Sequence, residues 1–175
     1  MDSQKTLETI KKLEFKTITD TRGFGMEILS RLVSCSIGSP EFKHIYVSFS
    51  RKGVIRGLHY QLPPKAQGKL VAVIIGEIFD VVVDIRRSSN DFGKYMILKL
   101  RSGEGVWIPP GFAHGFQALN DSVVLYLMTD SISTFCVCLF SFLISSFCLY
   151  LNRINPDSEI IKNTNTKMIR SNIFV

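Results

Sequence analysis

The sequence predicts an all-β fold in a single domain, and two observations lead to this prediction. Between about residues 43 and 130, short runs rich in β-branched and aromatic residues alternate with turn residues, and no amphipathic helical pattern of useful length interrupts them. The chain of 175 residues is also long enough for one well-buried domain and too short for two. Strands at this spacing are typical of a sandwich, a barrel or a jelly roll.

The predicted strands follow one another in short, regular steps. Residues 45–50 alternate apolar and polar side chains, residues 70–75 and 78–85 are rich in Val and Ile, and residues 95–100, 105–108 and 123–128 continue the series. Turn residues separate them at Gly76-Glu77, Ser102-Gly103, Pro109-Pro110-Gly111 and Asn120-Asp121. Upstream, residues 7–12 predict a short helical or irregular lead-in, and residues 19–23 predict a turn.

The segment 131–151 differs from the rest of the chain because it contains no charged residue. Its length suits a transmembrane helix, although its Ser, Phe and Cys content is poor for a helix. Three interpretations stay open: a membrane anchor, a buried β segment, or non-native sequence from a faulty gene model. We therefore expect a domain over residues 1–130, an apolar segment 131–151 and a polar tail 152–175.

Composition excludes several classes of partner. The formal charge of +6 favours anionic ligands. The chain lacks the dense Lys/Arg block that is typical of nucleic-acid binding. The four cysteines form no CxxC pair, so neither a zinc site nor a secreted disulfide framework is indicated. The N-terminus lacks the apolar stretch of a signal peptide, which predicts a cytoplasmic protein.

The segment around Pro63-Pro64 combines a histidine with two cations. His59 is a candidate general base, since an imidazole with an ordinary pKa of about 6.5 accepts a proton near neutral pH. Arg56 and Lys69 suit the binding of a phosphate and the stabilisation of an enolate oxygen. Each of these residues taken alone is more often structural or solvated. Because proline is excluded from central strands, we expect the polar groups at strand ends.

Two further residues could join such a site. His114 lies between small residues after the Pro109-Pro110 turn, where a structural hydrogen bond is as good an explanation as catalysis. Period-2 alternation places Tyr126 on the same strand face as Val124 and Met128, which alone indicates a core or interface tyrosine. With three histidines, no H-x-H pair and two nearby cations, we expect no metal.

Long stretches of the chain resemble one known family. The segments RGLHYQLPPKAQGKLVAVIIGEIFDVVVDIRRSSNDFGKY, WIPPGFAHGF and LYLMTD are similar to the dTDP-4-dehydrorhamnose 3,5-epimerases, and DTRGFGME is a weaker match to their D-x-R-G-F-F-x-E segment. The resemblance implies a cupin-type double-stranded β-helix (jelly roll). It also implies a homodimer whose N-terminal strands cross to the partner, and no cofactor or metal.

The same resemblance implies an isomerase acting on a nucleotide-linked 4-keto-6-deoxyhexose at C3, C5 or both. In that reaction His59 takes a proton, Lys69 stabilises the enolate oxygen, and Tyr126 returns a proton from the opposite face. Substrate contacts are expected from Arg56, Arg22, Glu27, Gln61 and His114.

The chain also departs from the family pattern. His44 and Tyr46 stand where the family usually has Gln and Asn, and Gly25 replaces an aromatic residue. Beyond residue 130 the family has an Asp whose carboxylate orients the base histidine. Asp157 in that position would keep this carboxylate, whereas Asn155 in that position would leave the imidazolium without it. Two alternatives therefore stay open: a catalytically weakened binding protein for nucleotide sugars, and a membrane-tethered form of the same domain.

Overall fold

Strands dominate the computed structural model, which describes residues 6–132 and 136–138. The strands are β1 Lys11–Glu14, β2 Lys16–Asp20, β3 Gly23–Glu27, β4 His44–Ser50, β5 Ile55–Gln61, β6 Lys69–Ile75, β7 Glu77–Asp84, β8 Tyr95–Arg101, β9 Glu104–Ile108, β10 Phe112–Ala118, β11 Ser122–Met128 and β12 Cys136–Cys138. They form one five-stranded sheet in the order β1-β9-β6-β11-β4 and a second in the order β12-β5-β10-β7-β8. A separate hairpin pairs β2 with β3.

Helical structure is limited to two short elements in the described residues. A 3₁₀ helix covers Thr6–Thr9, and α1 covers Arg31–Ser36. Helix α1 begins after Ser30, whose hydroxyl oxygen accepts a hydrogen bond from the Val33 amide at 3.2 Å and so caps the helix.

The two five-stranded sheets pack against each other through their apolar inner faces. Every strand pair in them is antiparallel, so alternate side chains of each strand point to the shared core. One buried cluster joins Val71 and Val73 of the first sheet to Val82 and Phe116 of the second. The all-β prediction is therefore confirmed, and so is the common face of Val124, Tyr126 and Met128, all of which lie in this cluster.

Strands β1, β2 and β3 were not predicted, and β12 lies in the segment 131–151 whose interpretation stayed open. Between residues 43 and 130 the six predicted strands agree with the structure to within about two residues at each end, but two strands in this range were not predicted. These are β5 and β10, and each contains a glycine where the strands approach closely. A Cβ atom on Gly57 would lie 2.5 Å from the Cα atom of Gly115. Because glycine has no side chain, Gly57 and Gly115 weaken the β-branched pattern by which a strand is recognised in the sequence. The close contact between the two strands nevertheless requires glycine.

His59 shows one consequence of the missed strand. The prediction that the polar groups of its segment lie at strand ends is correct for Lys69, the first residue of β6. It is wrong for His59, which lies inside β5. The reason is that β5 ends at Gln61, before Pro63 and Pro64, so the prolines do not prevent the strand from containing the histidine.

The apolar segment 131–151 lies largely outside the described residues. Residues 136–138 form β12, which pairs with β5 in the register Cys138↔His59. No helix in the described residues is long and apolar enough to cross a membrane. The three interpretations of the segment stay predictions.

Candidate active site

Two histidines form the centre of the site. His59 of β5 is the register partner of His114 of β10, and the ladder between these strands shifts register between His114 and Phe116. Gly57 has a φ of +113°, a left-handed value that glycine adopts without strain. The close approach of β5 and β10 at Gly57 and Gly115 therefore sets the position of His59 beside His114.

Tyr126 reaches the same site from the opposite sheet. Its ring centroid lies 6.2 Å from that of His114, and its hydroxyl lies 3.5 Å from the Ser48 hydroxyl. The residue is 8% exposed, and burial is the main cause that raises its pKa above the ordinary value. Tyr126 therefore stays protonated at neutral pH and is able to donate a proton.

His59 is held in its neutral form. Burial is the main cause that lowers its pKa, to about 4; the electrostatic coupling to His114 and the positive charges of Lys69 and Arg56 act in the same direction. At neutral pH the imidazole thus has a free lone pair, which a general base needs. His59 and Tyr126 therefore carry complementary protonation states on two facing sheets.

Lys69 supplies a buried cation. It is 8% exposed, and after burial its charge is a further cause of the lowered pKa values of His59 and His114. A positive charge in such a dry site interacts strongly with a developing oxyanion.

Asp80 of β7 is a site residue that the sequence reasoning missed. Its Oδ2 atom lies 3.4 Å from Nδ1 of His114, and the two side chains are 0% and 4% exposed. Among the residues that the structure describes, neither carboxylate oxygen has a hydrogen-bond partner, nor does Nδ1 of His114. Burial raises the pKa of Asp80 and lowers that of His114, which favours the neutral pair. The sequence does contain a signal for this residue: Asp80 lies inside the β-branched run of residues 78–85, and a carboxylate in a buried strand usually has a specific role.

Arg56 is fixed by strand β4. Its Nε atom donates a hydrogen bond to the Ser50 hydroxyl at 2.7 Å, and Nη2 donates to the Phe49 carbonyl at 2.9 Å. Ser48 and Ser50 are buried on one face of β4, while Phe49 between them is exposed. The alternation of β4 was recognised, but the contacts of its serines to Tyr126 and Arg56 were not predicted.

The remaining predicted site residues lie away from the two histidines or outside the described part of the chain. Arg22, in the turn of the β2–β3 hairpin, is exposed and forms an ion pair with Asp20 at 2.5 Å. Glu27 is exposed at the end of β3. The amide nitrogen of Gln61 donates to the Lys65 carbonyl at 2.8 Å and to the Ser131 carbonyl at 3.2 Å. Asp157 and Asn155 lie outside the described residues.

The described residues contain no group of three or more His, Cys, Asp or Glu side chains arranged to hold a metal ion. The groups that the site does assemble are a neutral imidazole, a protonated phenol and a buried ammonium. Together they suit the removal and return of a proton next to a carbonyl group.

Comparison with known proteins identifies the family. The family model for dTDP-4-dehydrorhamnose 3,5-epimerase matches residues 4–136. The chain belongs to this family. It is 48% identical over 122 residues to the dTDP-4-dehydrorhamnose 3,5-epimerase of Shigella flexneri, an alignment that covers 67% of each chain. The chain aligns with 67%, 39% and 65% of the lengths of three curated relatives, all of them dTDP-4-dehydrorhamnose 3,5-epimerases.

Solved structures of the family share the fold. The dTDP-4-dehydrorhamnose 3,5-epimerase of Sulfolobus tokodaii has a TM-score of 0.70 and 44% identity, with 77% of this chain and 79% of that chain covered. The Legionella pneumophila enzyme, solved in complex with dTDP-4-keto-L-rhamnose, has a TM-score of 0.67 and 40% identity, with 74% and 71% covered. The expected cupin-type jelly roll is thereby confirmed.

Proposed function

We propose that this chain is an isomerase that epimerises dTDP-4-dehydro-6-deoxyglucose at C3, C5 or both, giving dTDP-4-dehydrorhamnose when both centres invert. The observation that carries the proposal is the meeting of His59 and its register partner His114 on one sheet with Tyr126 of the facing sheet, whose ring centroid lies 6.2 Å from that of His114. His59 is a neutral base and Tyr126 a protonated acid. Inversion at carbon needs an acid and a base on opposite faces of the substrate. Membership of the family and the ligand of the Legionella structure support the choice of substrate.

The reaction proceeds through an enolate. The lone pair of His59 takes a proton from the carbon beside the C4 ketone, the C–H electrons form a C=C bond, and the carbonyl π electrons move to the oxygen. The ammonium group of Lys69 stabilises that oxyanion. The enolate then collapses and its carbon takes a proton from the Tyr126 hydroxyl on the other face. Exchange with solvent returns the imidazolium and the phenolate to their starting states.

Substrate binding is assigned to residues around this centre. Arg56, already fixed by two hydrogen bonds, presents a positive charge for phosphate or sugar oxygens. His114 and Gln61 are further candidates. Asp157 and Asn155 stay the candidates for orienting His59. The mechanism assigned to the described residues requires no cofactor and no metal.

Arg22 and Glu27 are proposed to contact the nucleotide across a homodimer. Both lie on the exposed β2–β3 hairpin, which pairs with neither five-stranded sheet. The outer face of edge strand β4 supports a dimer, since Ile45, Val47 and Phe49 are 65%, 55% and 57% exposed. A row of exposed apolar side chains on an edge strand is a suitable contact surface for a second copy of the chain.

We also propose a cytoplasmic location, which cell fractionation tests directly. Recovery of the full-length protein in the membrane fraction would favour the anchor interpretation of residues 131–151.

Isotope exchange tests the proposed reaction. The purified protein is incubated with dTDP-4-keto-6-deoxyglucose in D₂O, and deuterium at C3 and C5 is followed by NMR. We expect incorporation that His59→Ala abolishes, and exchange without inversion in Tyr126→Phe, because that variant keeps the base and loses the acid.

The outcomes of this experiment separate the alternatives. Incorporation at one carbon only would make the chain a single-centre epimerase. Binding of the substrate with no exchange above the His59→Ala control would contradict the proposal and favour the catalytically weakened binding protein.

A further inference from the structure

The loop between β5 and β6 connects the strands of the base and the cation. It covers residues 62–68 and crosses from the second sheet to the first. His59 lies in β5 shortly before it, and Lys69 is the first residue after it. The conformation of this loop therefore sets where the base and the cation stand relative to each other.

Two buried amide side chains attach this loop to the chain that follows β11. Gln67 is 6% exposed, and its Nε2 atom donates to the Asp130 carbonyl at 3.0 Å. Gln61, equally buried, donates to the Ser131 carbonyl at 3.2 Å and, within the loop, to the Lys65 carbonyl at 2.8 Å. A buried amide bonded to main-chain carbonyls holds the backbone firmly, since an unpaired partner would be costly.

Main-chain contacts reinforce this attachment. The Gly68 amide donates to the Thr129 hydroxyl at 2.9 Å, and the Thr129 amide donates to the Gly68 carbonyl at 3.0 Å. The ion pair of Lys65 with Asp130, at 3.1 Å, is partly exposed and adds little. Thr129 follows Tyr126 by three positions, so the same contacts also fix the end of the strand that carries the acid.

We propose that Gln61, Gln67, Gly68, Thr129 and Asp130 form a clasp that aligns the base, the cation and the acid, with Gln67 as its principal positioning residue. The clasp lies where β5, β6 and β11 come together, and these strands carry His59, Lys69 and Tyr126. Gln67 acts through Lys69, two positions away. This inference rests on the proposed function and deepens it.

The consequence of loosening the clasp is a change in how the enolate is reprotonated. Once the enolate has formed, protonation by Tyr126 gives inversion, whereas protonation from the side of His59 returns the starting configuration with solvent deuterium. The ratio of the two outcomes depends on the relative alignment of acid and base. A loss of general stability without misalignment leaves this ratio unchanged.

Gln67→Leu tests the proposal, because leucine keeps the size of the side chain and removes its donor. We expect kcat to fall about tenfold with little change in KM, since small misplacements of catalytic groups reduce kcat strongly. We also expect inversions per deuterium exchange in D₂O to fall several-fold. Thr129→Val, which removes the acceptor of the Gly68 amide, should change the ratio in the same direction and serves if Gln67→Leu does not fold.

The matched control is Ser122→Ala. Ser122 is buried at the other end of β11, and its hydroxyl donates to the Asn120 carbonyl at 2.7 Å. We expect this variant to lose stability and keep the wild-type ratio. A wild-type ratio in Gln67→Leu, or an equal fall in Ser122→Ala, overturns the clasp. Absence of exchange in the unaltered protein overturns the proposed function, and the clasp with it.

Discussion

Burial determines the chemistry of individual residues in this site. The same cause favours the neutral imidazole of His59 and the neutral phenol of Tyr126, because removal from water disfavours the charged form of either group. The base is therefore in the form that accepts a proton and the acid in the form that donates one, while the same shifts weaken the intrinsic basicity of His59 and the intrinsic acidity of Tyr126. The buried ammonium of Lys69 lies among these groups and offers its charge to the enolate.

The low pKa of His59 leads to a prediction about pH. Because the free base is the active form, kcat/KM should fall only as the pH drops towards about 4, rather than below the ordinary histidine value of 6.5. An NMR titration of the His59 imidazole, assigned with His59→Asn, checks the same value directly. Lys69→Met should raise this pKa, since the lysine charge helps to lower it. A titration near 6.5 in the unaltered protein would contradict the prediction.

At the scale of elements, the close contact between β5 and β10 positions the catalytic strand. A Cβ atom on Gly57 would lie 2.5 Å from the Gly115 Cα atom and 2.8 Å from the His114 carbonyl oxygen. Both neighbours are backbone atoms, so they cannot move aside as the end of a flexible side chain does. The positive φ of Gly57 adds backbone strain for any other residue.

Gly57→Ala should therefore destabilise the fold by about 2–5 kcal/mol, from backbone strain and overpacking together. Urea denaturation followed by circular dichroism measures the free energy of unfolding. Gly25→Ala is the matched control, because a Cβ there meets no atom of the described part of the chain within 4 Å and φ is not positive. Equal stability of the two variants would mean that β5 and β10 are free to move apart at this point.

At the scale of the whole molecule, the described fold leaves one edge strand apolar on its outer face. Ile45, Val47 and Phe49 alternate along β4 with an inner row formed by Tyr46, which is still 43% exposed, and the buried Ser48 and Ser50. The inner row contacts Tyr126 and Arg56. The strand therefore contributes to the site on one face and to the proposed dimer on the other.

Val47→Glu should shift the protein from dimer to monomer, because a carboxylate in an apolar interface is costly to bury. Analytical ultracentrifugation at micromolar concentration measures the change. Phe92→Glu, at another exposed apolar residue (55%), should keep the dimer. A monomeric unaltered protein, or a Val47→Glu variant that still sediments as a dimer, would show that β4 is not the interface.

The all-β class, the positions of six of the twelve described strands and the candidates His59 and Lys69 follow from the sequence pattern, whereas Tyr126 became a candidate acid only through the family resemblance. Alternating β-branched residues identify strands because each strand buries one face, which is a local property. Imidazole, ammonium and phenol groups likewise identify possible acids, bases and charges wherever they occur. These conclusions need no knowledge of which strands are neighbours.

Which of these groups meet depends on the tertiary structure. The register places His114 opposite both His59 and Val82, and the packing of the two sheets brings Tyr126 to His114. Asp80 and Ser48 entered the site for the same reason, although each is far from its partner in the chain. Pairing between distant strands depends on the packing of the whole core, and the pKa shifts depend on the burial that this packing creates.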